Sequence, residues 1–427
     1  MDIFNNPPRE KWQELCTRPS SFNPKVEESV RRIIDRVRSD GDAALRELSL
    51  EIDSVRLDDL RVSEEEFAEA EKAVSEDVKE AVRKAAANIE AFHKAQMPSQ
   101  IEVETAPGVR CIQKPVPIEK VGLYIPGGTA PLFSTVLMLA IPARIALCPL
   151  VELCTPVSRT SGKVSPEVLW TARFCGIKDV FKVGGAQAIA AMALGTESVP
   201  KVHKIFGPGN QYVTTAKQLL GGRKVAIDMP AGPSEVMVIA DETSAPAYAA
   251  ADLLSQAEHG ADSQAMLVCR SEQFALAVQE QVEAQLKVLG RATIAVRALE
   301  KSRSIVFDSD RDVIDFANLY APEHLIVSTL DPWKTVSLIT AAGSVFVGKY
   351  TPESAGDYAS GTNHTLPTCG WAHSHSGVNI DSFTRKMTIQ EITREGLTGL
   401  GGTIVTMAHA EGLQAHAAAV KVRTDEN

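Results

Sequence analysis

The chain has 427 residues, of which 44% are hydrophobic and 23% charged, and a formal net charge of −10. Such a length exceeds what one core usually supports, so at least two globular domains are expected. The acidic balance argues against nucleic-acid backbones or anionic membranes as partners, and no apolar run approaches the roughly 20 residues needed to span a bilayer.

The opening residues, MDIFNNPPREKWQELCTRPS, mix acids, bases and prolines without an apolar stretch, so no targeting peptide is expected. Seven scattered cysteines, with no CxxC pair, read as reduced thiols in a cytoplasmic protein. The next segment, PKVEESVRRIIDRVRSDGDAALRELSLEID, has apolar residues at helical spacing and breaks at Gly41. Ser63 followed by Glu66 has the spacing of a capping box, and the pattern predicts a helix of two dozen residues or more beyond it.

From about Ile118 the texture changes. KVGLYIPGG, LVELCTPVS, DVFKVGGAQAIAAMALG and KIFGPGNQYVTTAKQLL alternate apolar strands, glycine turns and alanine-rich helices, as βαβ units do. A second series starts near Ser234 with SEVMVIADE and runs through SQAMLVCRS and RSIVFDS to GSVFVG. After about Gly377 a basic and then helical tail follows, too short to own a core.

Several polar groups stand out against this frame. Glu323 and His324 adjoin in an otherwise apolar stretch, NLYAPEHLIVSTL, and neighbours do not share a face of a regular element. Gln256 and His259 lie three apart at a helix end marked by Gly260, a spacing that suits one metal or a simple helix terminus. Asp357 and His364 lie in the Gly/Ser/Thr-rich loop ESAGDYASGTNHTLPT, where a carboxylate completes a mixed N/O ligand set or merely caps a turn. His409 and His416 are two helical turns apart. No GxGxxG, GxSxG, HExxH or Walker A motif is present. From the residues alone three readings stay open: an enzyme moving hydride, a zinc hydrolase in which Glu323 activates water, and a metal-binding scaffold.

The stretches VGLYIPGGTAPLFSTVLMLAIPARIA, FKVGGAQAIAAMALGTESVPKVHKIFGPGNQYV, IDMPAGPSEVMVIAD, LLSQAEHGADSQ, YAPEHLIV and TPESAGDYASGTNHTLPT together resemble the histidinol dehydrogenase family, from about residue 20 to the C-terminus. The resemblance implies NAD-dependent oxidation of L-histidinol to L-histidine through the aldehyde, one zinc ion per subunit, and a cytoplasmic homodimer without nucleic-acid or membrane partners. It implies an α/β fold of two related, incomplete Rossmann-like domains, aldehyde-dehydrogenase-like three-layer sandwiches, with small N- and C-terminal extensions. The division it suggests is an N-terminal extension at 1–23, a first domain at 24–118 and 236–376, a second at 119–235, and a tail at 377–427 crossing to the partner.

By position, the resemblance assigns Gln256, His259, Asp357 and His416 to zinc, with His416 coming from the neighbouring subunit, and Glu323 and His324 to catalysis. Ser234, Gln256, His259, His324, Asp357, His364, Glu411 and His416 fall at or near the substrate. Tyr124, Gln187 and Asn210 fall on NAD. The family pattern does not call for histidine at 373, 375 or 409.

Overall fold

The computed structural model describes residues 1–18, 24–127, 131–230 and 232–425. Its strands, in chain order, are β1 (Asp2–Asn5), β2 (Ile101–Ala106), β3 (Val109–Pro117), β4 (Lys120–Tyr124), β5 (Leu150–Cys154), β6 (Asp179–Phe181), β7 (Lys204–Phe206), β8 (Ala226–Ile227), β9 (Glu235–Ala240), β10 (Gln264–Cys269), β11 (Arg303–Val306), β12 (His324–Ser328), β13 (Ser344–Val347) and β14 (Thr384–Ile392). They form three sheets. One is parallel in the order β6-β5-β4-β7-β8, and a second is parallel in the order β1-β11-β10-β9-β12-β13.

Leaving β1 aside, the two parallel sheets have the same topology. In each, the first strand is central, the next two are added on one side and the last two on the other. This reversal makes a switch point beside the first strand, the place where open α/β sheets form a crevice. The expected pair of related, incomplete Rossmann-like units is therefore what the chain forms.

The middle strands are apolar along most of their length because both faces are covered, as parallel sheets require. Val236, Val238 and Ala240 of β9 pack with Ala250, Leu253 and Val278, while Met237 and Ile239 pack with Trp12, Phe307 and Phe316 on the other face. The N-terminal residues are thus part of this unit rather than an appendage: β1 pairs with β11, and Trp12 and Leu15 enter its core.

Packing also redraws the expected division at 24–118. The helix Pro24–Leu48, kinked at Gly41 (φ 50°), lies against the helices Gly185–Leu194 and Gln211–Leu220. The helix Glu76–Lys94 lies against Phe133–Ile145. Val30, Val37, Leu45 and Ile89 share one core with Val121, Leu123 and Ile205 of the five-stranded sheet. The helices at 24–94 therefore bury their apolar stripes on the 119–235 unit, while polar contacts such as Asn88 Nδ2 to the Ala359 carbonyl at 2.8 Å reach the 236–376 unit. The Ser63–Glu66 capping box forms, but the helix ends at Ala73 and restarts at Glu76 with Ser75 as its cap.

The third sheet, β14-β3-β2, is antiparallel and largely exposed. The basic part of the tail is thus a strand, held over nine residue pairs by β3. Beyond it the helices Arg394–Ala410 and Gln414–Thr424 pack on one another. This arm leaves Ile101, Val103, Ile389, Met407 and Val422 exposed.

Candidate active site

Glu323 and His324 occupy the entrance of β12. The helix Asp310–Tyr320 stops at Ala321, which holds a left-handed backbone (φ 50°). That conformation costs an alanine about 1–3 kcal/mol and is found where the surroundings enforce it. The turn delivers both side chains to one residue of the neighbouring strand. The backbone N–H of Glu235 donates to Glu323 Oε2 at 2.8 Å, and the Glu235 carbonyl lies 3.1 Å from His324 Nδ1. Two adjacent residues can therefore serve one site because, where a turn enters β12, they meet the backbone N–H and carbonyl of the same residue.

This carbonyl accepts a hydrogen bond from Nδ1–H, so Nε2 is the nitrogen left for chemistry. It is buried, has no hydrogen-bond partner among the described residues, and lies 3.7 Å from Asp357 Oδ1. Burial pulls the His324 pKa down, but Glu353, Glu323 and Asp357 together drive it up to about 10. Positive charge placed on those carboxylates opposes this rise.

Asp357 and Glu353 are four residues apart on the helix Glu353–Tyr358, hence on one face. With His259, just beyond the end of the helix Pro246–Ala257, they bring one ligand atom each within 4.8 Å of one another. The Gln256 side chain is fully buried, and neither its amide oxygen nor its nitrogen has a partner among the described residues. Glu353 Oε1 is likewise unpartnered. Leaving such groups unsatisfied in a protein interior is costly, so their accumulation beside an imidazole and two carboxylates marks a place built for something else. The donor set is nitrogen and oxygen, which suits zinc.

His364 adds a wall. Its Nδ1 lies 2.9 Å from the Asp357 carbonyl and its Nε2 lies 3.1 Å from Thr135 Oγ1. A carbonyl only accepts, so Nδ1 carries the proton and Nε2 accepts from the threonine. Burial lowers its pKa, with Asp357 opposing. Thr135 opens the helix after β4, so this bond ties the cluster to the five-stranded sheet. Ser234 immediately precedes β9, and its carbonyl accepts from Gln264 N at 3.1 Å. The cluster thus sits at the N-terminal edge of the six-stranded sheet, facing loops from the C-terminal edge of the other.

Tyr124, Gln187 and Asn210 gather at that C-terminal edge. Tyr124 ends β4; its hydroxyl accepts from Gly185 N at 3.0 Å, and burial raises its pKa to about 12. Gln187 is buried in the first turn of the helix after β6. Asn210 caps the helix after β7, accepting from Tyr212 N at 3.0 Å and Val213 N at 3.2 Å. Between β4 and β7, Gly207 (φ 125°) runs so close that a Cβ there would stand 2.1 Å from the Tyr124 carbonyl. This is the switch-point crevice of the five-stranded sheet.

Not every expected residue joins. Glu411 and His416 are exposed on the C-terminal arm and are not in the cluster. His373, His375 and His409 also lie outside it. In the other direction, Glu353 belongs to the cluster although sequence reasoning passed over it; its i, i+4 relation to Asp357 was the available signal. Glu235 was missed because its contribution is made by its backbone.

Comparison with known proteins identifies the family of the chain. The profile of the family described as histidinol dehydrogenase matches residues 16–424. The chain is 54% identical over 426 residues to the histidinol dehydrogenase of Bacteroides fragilis, covering 100% of this chain and 99% of that protein. It is 52% identical over 417 residues to that of Yersinia pestis, covering 97% and 93%. The crystal structure of histidinol dehydrogenase from Elizabethkingia anophelis superposes with a TM-score of 0.96 at 50% identity, covering 100% of this chain and 98% of that one.

Fold and relatives define an α/β oxidoreductase of histidine biosynthesis. Within that class, the chain belongs to the histidinol dehydrogenase family.

Proposed function

We propose that this chain carries out the NAD-dependent four-electron oxidation of L-histidinol to L-histidine by way of L-histidinaldehyde, at a zinc site, in a cytoplasmic homodimer. The observation that carries the reading is the cluster of His259, Asp357, Glu353 and the orphaned Gln256 amide beside the Glu323–His324 pair. Gln256, His259 and Asp357 would hold zinc with His416 of a second copy, and Glu353 stands ready as a further carboxylate. When bound there, zinc supplies a template and Lewis acid for the imidazole and amine of histidinol.

Oxidation of one carbon from alcohol to acid needs two hydride transfers and one water. Tyr124, Gln187 and Asn210 would hold NAD, which when bound supplies the hydride acceptor for both oxidations, and His324 takes the hydroxyl proton at Nε2 in the first. Glu323 then withdraws a proton from the water that adds to the aldehyde. His324, its first proton released to solvent, again receives the hydroxyl proton as the hydrate is oxidised. Ser234, His364 and Glu411 border the substrate. The dimer accounts for the arm: Glu411 and His416 are exposed on it, and Ile389, Met407 and Val422 are exposed beside them.

Mixing tests the shared site. Neither His416→Asn nor His259→Asn chains should be active alone, but heterodimers of the two regain activity from the one site whose residues are intact. Silence in verified heterodimers would mean that each site is built within one chain.

A further inference from the structure

We infer that Arg18 is a positioning residue for the Glu323–His324 pair and acts through Glu235, an inference that rests on the catalytic reading above. Both members of the pair are held by the backbone of Glu235, its N–H on Glu323 and its carbonyl on His324. What fixes that stretch of backbone is therefore in part a question about the Glu235 side chain, which is buried.

Arg18 grips it with a two-pronged ion pair, Nε to Oε1 at 2.7 Å and Nη2 to Oε2 at 3.0 Å. The backbone N–H of Cys369 adds a third bond to Oε1 at 2.6 Å. The same guanidinium donates to the Tyr320 carbonyl and lies over the Tyr320 ring, 3.8 Å from its centroid. Tyr320 is the last helical residue before the left-handed Ala321 and the pair. The Tyr320 hydroxyl donates to Gln264 Oε1 at 2.7 Å, which ties this corner to β10. One planar cation from the N-terminal segment thus fastens the two pieces of backbone whose relative placement sets the pair: the start of β9 and the turn into β12.

An ion pair so deeply buried gains little stability over apolar packing, because both charges lose their water. Its value is geometric. A guanidinium reaches two carboxylate oxygens and a carbonyl in one plane, which an ammonium cannot do. Reacting groups displaced by about 1 Å lose on the order of 10²-fold in rate.

The test uses the full-length, zinc-loaded enzyme with Arg18→Met, Arg18→Lys and Glu235→Gln, alongside His324→Asn as a control. For Arg18→Met, kcat should fall on the order of 10²-fold while KM for histidinol and zinc per chain stay at parent values. Both half-reactions, from histidinol and from histidinaldehyde, should slow together, since Glu235 holds both members of the pair. Arg18→Lys should recover part of the loss by restoring charge without the fork. Parent-like kcat in folded, zinc-bearing Arg18→Met overturns the inference. So does a loss that lysine does not relieve or that appears only in KM. If Arg18→Met does not fold, Arg18→Lys and Glu235→Gln decide it, and parent-like kcat in both overturns it. An active His324→Asn would instead remove the catalytic reading beneath, so the two failures are distinguishable.

Discussion

The two parallel sheets have one strand order and put their edges to different use. The five-stranded sheet offers its C-terminal edge, where Gly207 and the cap of Asn210 open a crevice beside Tyr124. The six-stranded sheet offers its N-terminal edge, where β9 and β12 begin with Glu235 and His324. At its own switch point, between the C-terminal ends of β9 and β12, lies a pocket lined by Val238, Ser244, Ile326 and Ser328, with a buried Ser244–Ser328 hydrogen bond of 2.8 Å in its wall. The sheets differ in the same way in their buried glutamates. Glu235 is matched by Arg18, whereas Glu152, fully buried in β5, has no hydrogen-bond partner on either oxygen among the described residues. Topology decides where clefts form; loops and a few polar pairs decide which cleft works.

If the edges divide the labour, damage at one should leave the other intact. The largest effect is expected at the N-terminal edge. Glu323→Gln should slow oxidation of histidinaldehyde by ~10²–10⁴-fold, the usual range for losing a general base, and histidinol oxidation much less. Separate half-reaction rates check this, and equal losses would erase the proposed division between Glu323 and His324. Next, Glu353→Ala should weaken zinc binding by about 10–100-fold, as loss of a supporting carboxylate does, without changing KM for NAD. Competition with a zinc chelator measures it.

At the opposite edge, Gly207→Ala should raise KM for NAD about tenfold, because a Cβ there meets the Tyr124 carbonyl in a backbone conformation that costs an alanine of order 1–3 kcal/mol. Zinc content should stay at the parent value. A shift in zinc with no change in KM for NAD would show that the edges are not separate.

The last effect falls on stability rather than on rate or binding, and concerns Glu152. Burial, then Asp179, raise its pKa from 4.5 to about 8, with Lys120 opposing. The carboxyl therefore stays protonated in the fold while the unfolded chain ionises above pH 4.5. Stability falls as pH rises from about 4.5 to about 8, by at most about 1.4 kcal/mol per pH unit, and levels off above. Glu152→Gln removes this slope, so its thermal midpoint should exceed the parent's by more at pH 8 than at pH 5. Parallel pH profiles would contradict the raised value.

Much of this was legible in the sequence, for a physical reason. EVMVIA and QAMLVC read as strands because a sheet covered on both faces needs unbroken apolar runs, and glycine turns separate them from amphipathic helices. The antiparallel sheet was not legible. IEVETA and TRKMTIQEI are mostly exposed and polar, and β14 finds its partner only far back along the chain. Nor did amphipathic helices at 24–94 announce which sheet they cover, since an apolar stripe names no partner. The residues Gln256, His259, Asp357, Glu323 and His324 were visible as a pattern matched to a family. Glu353 and the Arg18–Glu235 pair were not, because they arise from contacts and not spacing; that pair joins residues 217 positions apart.

The most direct measurement is the zinc content of the purified parent and of Asp357→Asn, both kept in metal-replete buffer. The account predicts close to one ion per chain in the parent and a large loss in the variant, with the fold intact by circular dichroism. Equal zinc in both, or none in an active parent, would contradict it.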